Sequence, residues 1–120
     1  MYYKRETGIF GEKRAEEYLI ENQYKLITKN FSCRFGEIDL IARDVQNKEI
    51  VFIEVKTRNN EKYGNPAESI DYKKKKHIYK TAEYFLHVYK LEKEFVRIDV
   101  IEVYINKNKS YTINHIKQAF

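Results

Sequence analysis

The residues best suited to chemistry in this sequence are Asp39, Glu54 and Lys56, near the middle of the chain. They lie in or beside two apolar, β-branched runs at residues 38–42 and 50–55, and the polar segment between the runs predicts a β-hairpin. Because side chains alternate between the faces of a strand, only one parity of pairing brings the two all-apolar faces together. The simplest register of that parity sets Asp39 opposite Glu54. We therefore expect carboxylates and an ammonium to gather at the open end of the hairpin.

Such a carboxyl cluster needs a counterion. Two carboxylates about 4 Å apart repel by roughly 4 kcal/mol at an effective dielectric of 20, unless one keeps its proton or a cation lies between them. The same register places Glu37 opposite Lys56, and one ammonium is too little charge for three acids. A divalent ion such as Mg²⁺ or Mn²⁺ prefers carboxylate oxygens and water and would complete the neutralisation. A lysine beside such an ion can hold a phosphate oxygen or orient an attacking water. The alternative is a half-exposed strand with ordinary solvated charges.

The helical pattern at residues 7–22 predicts a first helix with Thr7 as its N-cap. Its inward stripe, by three- and four-residue spacing, would be Gly8, Gly11, Glu12, Ala15, Tyr18, Leu19 and Asn22. The small residues around Glu12 permit a close approach to the sheet, so this carboxylate should point inward. It would be either a further acid near the metal or an acid that favours the helix dipole.

A second helix begins either at Asn65, capping Pro66, or at Asp71. Its inward stripe would be Lys74, Ile78, Ala82, Phe85 and Tyr89, which places Lys74 at the end of the sheet that carries the acids. The neighbouring Lys73, Lys75 and Lys76 spread around the helix. They form either a solvated face or a cluster that holds phosphates without sequence preference.

The remaining pattern completes an α/β fold. A strand at residues 24–31, ending near Asn30, precedes the hairpin, and Phe95–Ile105 and Tyr111–Ile116 follow the second helix. The predicted order is α-β-β-β-α-β-β, a mixed sheet with a helix on each side and a crossover through the second helix. In the hairpin, Ile38, Leu40 and Ala42 should face the same side as Val51, Ile53 and Val55. Residues 59–65 are too polar to bury and form a loop that either touches substrate or is an inert surface connection. Arg97 and Asp99, two residues apart on one strand face, predict a structural ion pair.

Composition bounds the class of protein. A chain of 120 residues that is 42% hydrophobic can hold one modest core, so we expect a single domain over residues 1–120. The net charge of +5 favours polyanionic partners, although it also serves solubility. Cys33 is the sole cysteine, which excludes an internal disulfide and fits a reducing, cytoplasmic location. No apolar run is long enough to predict a membrane span.

Together these residues carry a family resemblance. The chain has Asp39 and then Glu54-Val55-Lys56 on the next strand, which resembles the Asp…Glu-x-Lys signature of the PD-(D/E)xK nucleases. A longer pattern resembles the YraN-like family of small bacterial predicted endonucleases: Gly11-Glu12, Ala15, Tyr18-Leu19, Asn30, residues 36–42, residues 52–58, Lys74, Arg97-Ile98-Asp99 and Ala119-Phe120. The resemblance implies a restriction-endonuclease-like core, similar to that of archaeal Holliday-junction resolvases.

The resemblance also implies roles for individual residues. Asp39 and Glu54 would bind Mg²⁺ or Mn²⁺, with the carbonyl of Val55 and the carboxylate of Glu12 as further ligands. Lys56 would orient or activate water, and Lys74 would support the metal ligands. Nucleic acid would contact Arg58, Lys73, Lys75 and Lys76.

The implied activity is a metal-dependent endonuclease that hydrolyses phosphodiester bonds of nucleic acid. DNA is the expected substrate, with branched or repair and recombination intermediates as one class. The main alternative is a nucleic-acid-binding or scaffold protein that keeps this fold without efficient catalysis. An adaptor for an acidic protein partner is a third reading, which rests on net charge alone. Related resolvases act as dimers, so the resemblance allows a homodimer.

Overall fold

The computed structural model describes residues 2–59 and 71–120, with side chains from Thr7 onward. These residues form two helices and five strands in the predicted order. The elements are α1 (Tyr2–Glu21), β1 (Tyr24–Cys33), β2 (Gly36–Asp44), β3 (Glu49–Asn59), α2 (Tyr72–Val88), β4 (Phe95–Ile105) and β5 (Tyr111–Ile116). The predicted loop at residues 59–65 and the alternative helix start at Asn65 lie outside the described residues, except that Asn59 ends β3.

The five strands form one sheet in the order β1-β2-β3-β4-β5. Neighbouring strands are antiparallel except for β3 and β4, which are parallel. The connection through α2 is therefore a crossover, as predicted. The helices cover opposite faces of the sheet, and neither is long and apolar enough to cross a membrane within the part of the chain that is described.

The register of the central hairpin matches the prediction. Leu40 pairs with Ile53 and Ile41 with Phe52. Continuing this register by one residue sets Asp39 opposite Glu54. The hairpin therefore delivers the two acids to the same place at the end of the sheet away from its turn.

The two faces of the hairpin bury two separate apolar clusters. One cluster contains Leu40, Ala42, Val51 and Ile53 under α1, and the other contains Ile41, Ile50 and Phe52 under α2. The prediction was wrong for Ile38, which packs in the α2 cluster rather than beside Leu40.

The pairing of β1 with β2 is interrupted between Ile38 and Leu40. This interruption explains why the two side chains face opposite sides of the sheet. The β1–β2 register passes from Lys29↔Leu40 directly to Phe31↔Ile38 and omits Asn30 and Asp39. Asn30 adopts a positive φ of 53°, a conformation that asparagine tolerates better than most residues. Strict alternation therefore stops at Asp39. β1 also continues to Cys33, beyond the end predicted near Asn30.

Helix α1 differs from its prediction at both ends. It begins at Tyr2, so Thr7 lies inside the helix and is not its N-cap. Residues 2–6 contain neither Gly nor Pro, so nothing in them breaks the helix. Asn22 was predicted to face inward, but it follows the last helical residue and is exposed. Ala15 and Leu19 are fully buried, as the spacing predicts.

Helix α2 begins at the second of the two predicted positions. Asp71 is the N-cap, and its side chain accepts a hydrogen bond of 2.8 Å from the backbone N–H of Lys74. Ile78, Ala82 and Phe85 are buried as predicted. Tyr89 is 56% exposed instead, because the helix has ended by this C-capping residue, although its ring still contacts Phe85.

Candidate active site

The two predicted acids form a carboxyl pair in which Glu54 is buried and Asp39 is partly buried. Asp39 and Glu54 are hydrogen-bonded through their side chains, and Oδ2 of Asp39 also accepts a hydrogen bond of 2.8 Å from the backbone N–H of Val55. Burial, followed by the hydrogen bond and the charge of Glu54, raises the pKa of Asp39 to about 8. Asp39 therefore keeps its proton near neutral pH, and the pair carries a single negative charge.

Glu54 holds that charge. Burial alone would raise its pKa, but the contacts with the Asp39 carboxyl group and the Lys74 ammonium outweigh burial and lower it. Nζ of Lys74 lies 2.7 Å from Oε2 of Glu54, which is an ion pair. Among the described residues, however, no well-directed hydrogen bond reaches this buried oxygen. The carboxylate thus retains unused capacity to accept a donor or a cation.

Lys56 follows Glu54 by two residues on β3, so both side chains lie on the α2 face of the sheet. Its Nζ is 4.0 Å from Oε2 of Glu54. Burial lowers the pKa of Lys56, Glu54 opposes this shift, and the ammonium of Lys74 reinforces it. For Lys74, burial is outweighed by the close contact with the charged Glu54, and the pKa is raised. The two lysines therefore differ: Lys74 stays charged, and Lys56 releases its proton more readily.

Glu12 of α1 approaches the pair from the other helix. Burial raises its pKa, and the charges of Glu37 and Glu54 raise it further. The approach depends on Gly11, because a Cβ at that position would lie 1.8 Å from Oγ1 of Thr57 on β3. The small residue predicted to allow close helix–sheet contact is therefore the one that positions this carboxylate.

These groups line one cleft of about 470 Å³, here called the main cleft, at the open end of the hairpin. Its lining residues are Glu12, Gly36, Glu37, Asp39, Glu54, Val55, Lys56, Asp71, Lys73, Lys74, His77 and Ile78. The structure thus brings together every predicted metal ligand and the two lysines predicted to support catalysis, Lys56 and Lys74. His77 was not predicted to be part of the site. Its position three residues after Lys74 on a helix was the available signal, because residues three apart are neighbours on a helix surface.

The predicted nucleic-acid contacts are not on one surface. Lys73 lines the main cleft, whereas Nζ of Lys75 lies 5.4 Å above the Phe120 ring and Lys76 points to solvent. Successive helical residues are about 100° apart, so a run of lysines cannot share a face. Arg58 lies in an adjoining cleft of about 440 Å³ that shares Glu12, Val55 and Lys56 with the main cleft.

The donor set fits a hard divalent cation. Mg²⁺ retains several waters and needs only one or two protein carboxylates, and Asp39 and Glu54 provide a buried pair that now shares a proton. Groups of three or more His, Cys, Asp or Glu residues in metal-binding arrangement are not found among the described residues. A cation here would therefore be held by the pair and by solvent, with the Val55 carbonyl and Glu12 close by.

The sequence comparisons agree over nearly the whole chain. The model of "Uncharacterised protein family UPF0102" matches residues 11–103. The UPF0102 protein of Caldicellulosiruptor bescii is 46% identical over 118 residues, which cover 97% of this chain and 98% of the relative. That of Clostridium tetani is 45% identical over 119 residues, 98% of this chain and 96% of the relative. That of Clostridioides difficile is 44% identical over 116 residues, 97% of each. This chain belongs to the UPF0102 family.

Proposed function

We propose that the protein is a metal-dependent endonuclease of the PD-(D/E)xK type that hydrolyses phosphodiester bonds in nucleic acid. The observation that carries the proposal is the pair formed by buried Glu54 and partly buried Asp39, with two lysines beside it in an open cleft. Burying two acids against each other is unfavourable, and ordinary folding gains little from it. The arrangement is useful at a site where a cation replaces the proton that the two acids share.

The reaction places each group in a defined role. A water oxygen forms a bond to phosphorus as the bond from phosphorus to the leaving oxygen breaks, and the water gives up a proton while the leaving oxygen gains one. Mg²⁺ or Mn²⁺ held by Asp39 and Glu54 would neutralise phosphate charge and lower the pKa of bound water. Lys56, whose Nζ lies 4.0 Å from Oε2 of Glu54, would orient the attacking water and stabilise the charge that develops on the phosphate. Lys74 fixes the Glu54 carboxylate by its 2.7 Å ion pair.

The test is cleavage of a panel of single-stranded, duplex, flapped and four-way DNAs with Mg²⁺ or Mn²⁺. Wild type and Glu54→Gln are compared, and metal binding is measured separately by calorimetry. We expect the wild type to bind metal and cut at least one substrate, and Glu54→Gln to lose both properties. Equal cleavage by the two proteins would show a contaminating nuclease and contradict the proposal. Metal binding without cleavage of any substrate would favour the scaffold alternative.

A further inference from the structure

One exposed stripe of α2 leads away from the main cleft. Lys73, His77, Lys80 and Tyr84 recur at intervals of four, three and four residues, so they lie along one side of the helix. All four are exposed, and Lys73 and His77 also line the main cleft. No ion pair within the described part of the chain engages Lys73 or Lys80. The stripe thus offers two lysines, a histidine and a tyrosine to a ligand, and it starts at the main cleft.

The turn between β1 and β2 flanks the far end of this stripe. The Arg34 guanidinium lies 4.9 Å from the centre of the Phe35 ring, and that ring is 6.0 Å from the ring of Tyr84. Tyr84 is 38% exposed, so part of its ring is open to solvent. The far end of the stripe therefore combines a cation with two aromatic rings.

Gly36 holds this turn against the helix. Its φ is +146°, and a Cβ there would lie 3.2 Å from Oγ1 of Thr81 and 3.5 Å from Cβ of His77. The backbone of β2 therefore packs directly on α2. Because the turn and the helix meet without a gap at Gly36, the stripe and the aromatic turn form one continuous surface.

We infer that this surface binds a single-stranded segment of the nucleic acid whose phosphodiester lies in the main cleft, an inference that rests on the proposed function. Lysines hold phosphates whatever the strand state, but an aromatic ring can stack only on a base that is not already paired. Eleven helical residues separate Lys73 from Tyr84, a distance of roughly 16 Å at 1.5 Å per residue. That length spans a few nucleotides of a single strand. Glu37 and Asp71 at the cleft end oppose the strand there, so the stripe supplies the compensating attraction.

The inference is tested by binding of fluorescein-labelled oligonucleotides in EDTA, measured by anisotropy over a range of salt concentrations. A short single strand and the matching blunt duplex are the two probes. The test variants are Lys73→Ala/Lys80→Ala and Tyr84→Leu. Lys25→Ala/Lys93→Ala removes the same charge from exposed sites elsewhere, and Tyr111→Leu removes a ring that is 39% exposed and likewise contacts a phenylalanine.

We expect the double lysine variant to lower the slope of log affinity against log salt by about 1.4 for the single strand. Tyr84→Leu should weaken single-strand binding by about fivefold or more and leave duplex binding unchanged. Both control variants should bind as the wild type does. Melting temperatures of all variants show whether any loss of binding reflects a loss of folding.

Three outcomes would overturn the inference: no single-strand binding by the wild type, test variants that bind like their controls, or an equal effect of Tyr84→Leu on single strand and duplex. Cleavage of DNA by the wild type alongside any of these would leave the proposed endonuclease standing. Single-strand binding through the stripe with no cleavage of any substrate would leave this inference standing and contradict the proposed endonuclease.

Discussion

At the scale of single residues, the carboxyl pair makes stability depend on pH in an unusual direction. Asp39 has a pKa of about 8 in the fold against an ordinary value of 3.8. Between these values the folded protein holds a proton that the unfolded chain releases. The contribution of Asp39 to stability is therefore fully present below the ordinary pKa of 3.8, declines as the pH rises above it, and is lost once the pH has passed about 8.

Asp39→Asn tests this linkage. The amide does not titrate, and it can accept the Val55 hydrogen bond while donating to Glu54. We measure melting temperatures in EDTA and expect the variant to gain on the wild type as the pH is raised from acidic to alkaline. We also expect the stabilisation of the variant by Mg²⁺ to disappear. A variant that melts several degrees below wild type at every pH, with its metal response intact, would make Asp39 a structural hydrogen-bonding residue.

Lys56 separates binding from chemistry. Lys56→Met should keep metal and nucleic-acid affinity close to wild type and lower the cleavage rate by roughly 10²-fold or more, the scale of one positioned catalytic group. Lys56→Arg should not restore the full rate, because a planar guanidinium does not replace a compact ammonium. Single-turnover cleavage rates provide the measurement. The control is Lys25→Met, which changes an exposed lysine of β1. Cleavage by Lys56→Met within a few-fold of wild type would contradict the proposed mechanism.

At the scale of elements, the contact of α1 with β3 decides where Glu12 lies. Gly11→Ala places a methyl group 1.8 Å from Oγ1 of Thr57, so the helix or the threonine must move. We expect a loss of about 1–3 kcal/mol in the free energy of unfolding, as for other overpacked sites. Urea denaturation measures it.

Gly8→Ala is the matched control for this contact. A Cβ at Gly8 meets nothing within 4 Å, so this variant should gain stability from the higher helix propensity of alanine, up to about 1 kcal/mol. Gly11→Ala combined with Thr57→Ala should recover part of the loss, because the clashing hydroxyl is gone. Equal effects of alanine at both glycines would show that close helix–sheet packing is not what Gly11 serves.

At the scale of the whole molecule, one buried arginine links the strands. Arg97 of β4 donates hydrogen bonds to Tyr24 of β1, Asp44 of β2, Glu49 of β3 and Asp99 of its own strand, at 2.8–3.0 Å. Asp99 in turn lies 2.7 Å from Nε2 of His115 on β5. The predicted Arg97–Asp99 ion pair is therefore confirmed, and it is the centre of a network that reaches all five strands.

Arg97→Met should cost about 3–5 kcal/mol, because it leaves Asp44 and Asp99 buried without their cation. The pKa of Asp99 is lowered in the fold: burial opposes this shift, but hydrogen bonds from His115, Arg97 and the Gln118 N–H outweigh it. Stability from that shift is present above the ordinary pKa of 3.8 and is lost at lower pH. The difference between Arg97→Met and wild type should therefore shrink in acid.

The control for this network is Arg43→Met. Arg43 pairs with Glu94 at 3.1 Å, but both side chains are more than a third exposed, so the loss should stay below about 1 kcal/mol. Denaturant unfolding across pH measures both variants. Similar losses for the two arginines would mean that the buried network contributes no more than a surface ion pair.

The sequence by itself determined the elements and the parity of the hairpin. β4 and β5 have their predicted bounds. The side-chain period of two is a local property, so only one parity of pairing brings the two apolar faces together, and the observed register of β2 and β3 has that parity. The cap at Asp71 and the position of Lys74 on the cleft side of α2 also follow from local helical spacing.

Only the tertiary structure decided how these groups interact. The interruption at Asn30 and Asp39 turns Ile38 to the other face, and no local pattern distinguishes that irregularity from a regular strand. The Lys74–Glu54 ion pair, the place of His77 in the main cleft and the five-strand reach of Arg97 depend on elements distant in sequence. Their distances are set by how helices pack on a sheet, and a contact between distant residues leaves no trace in the periodicity of either segment.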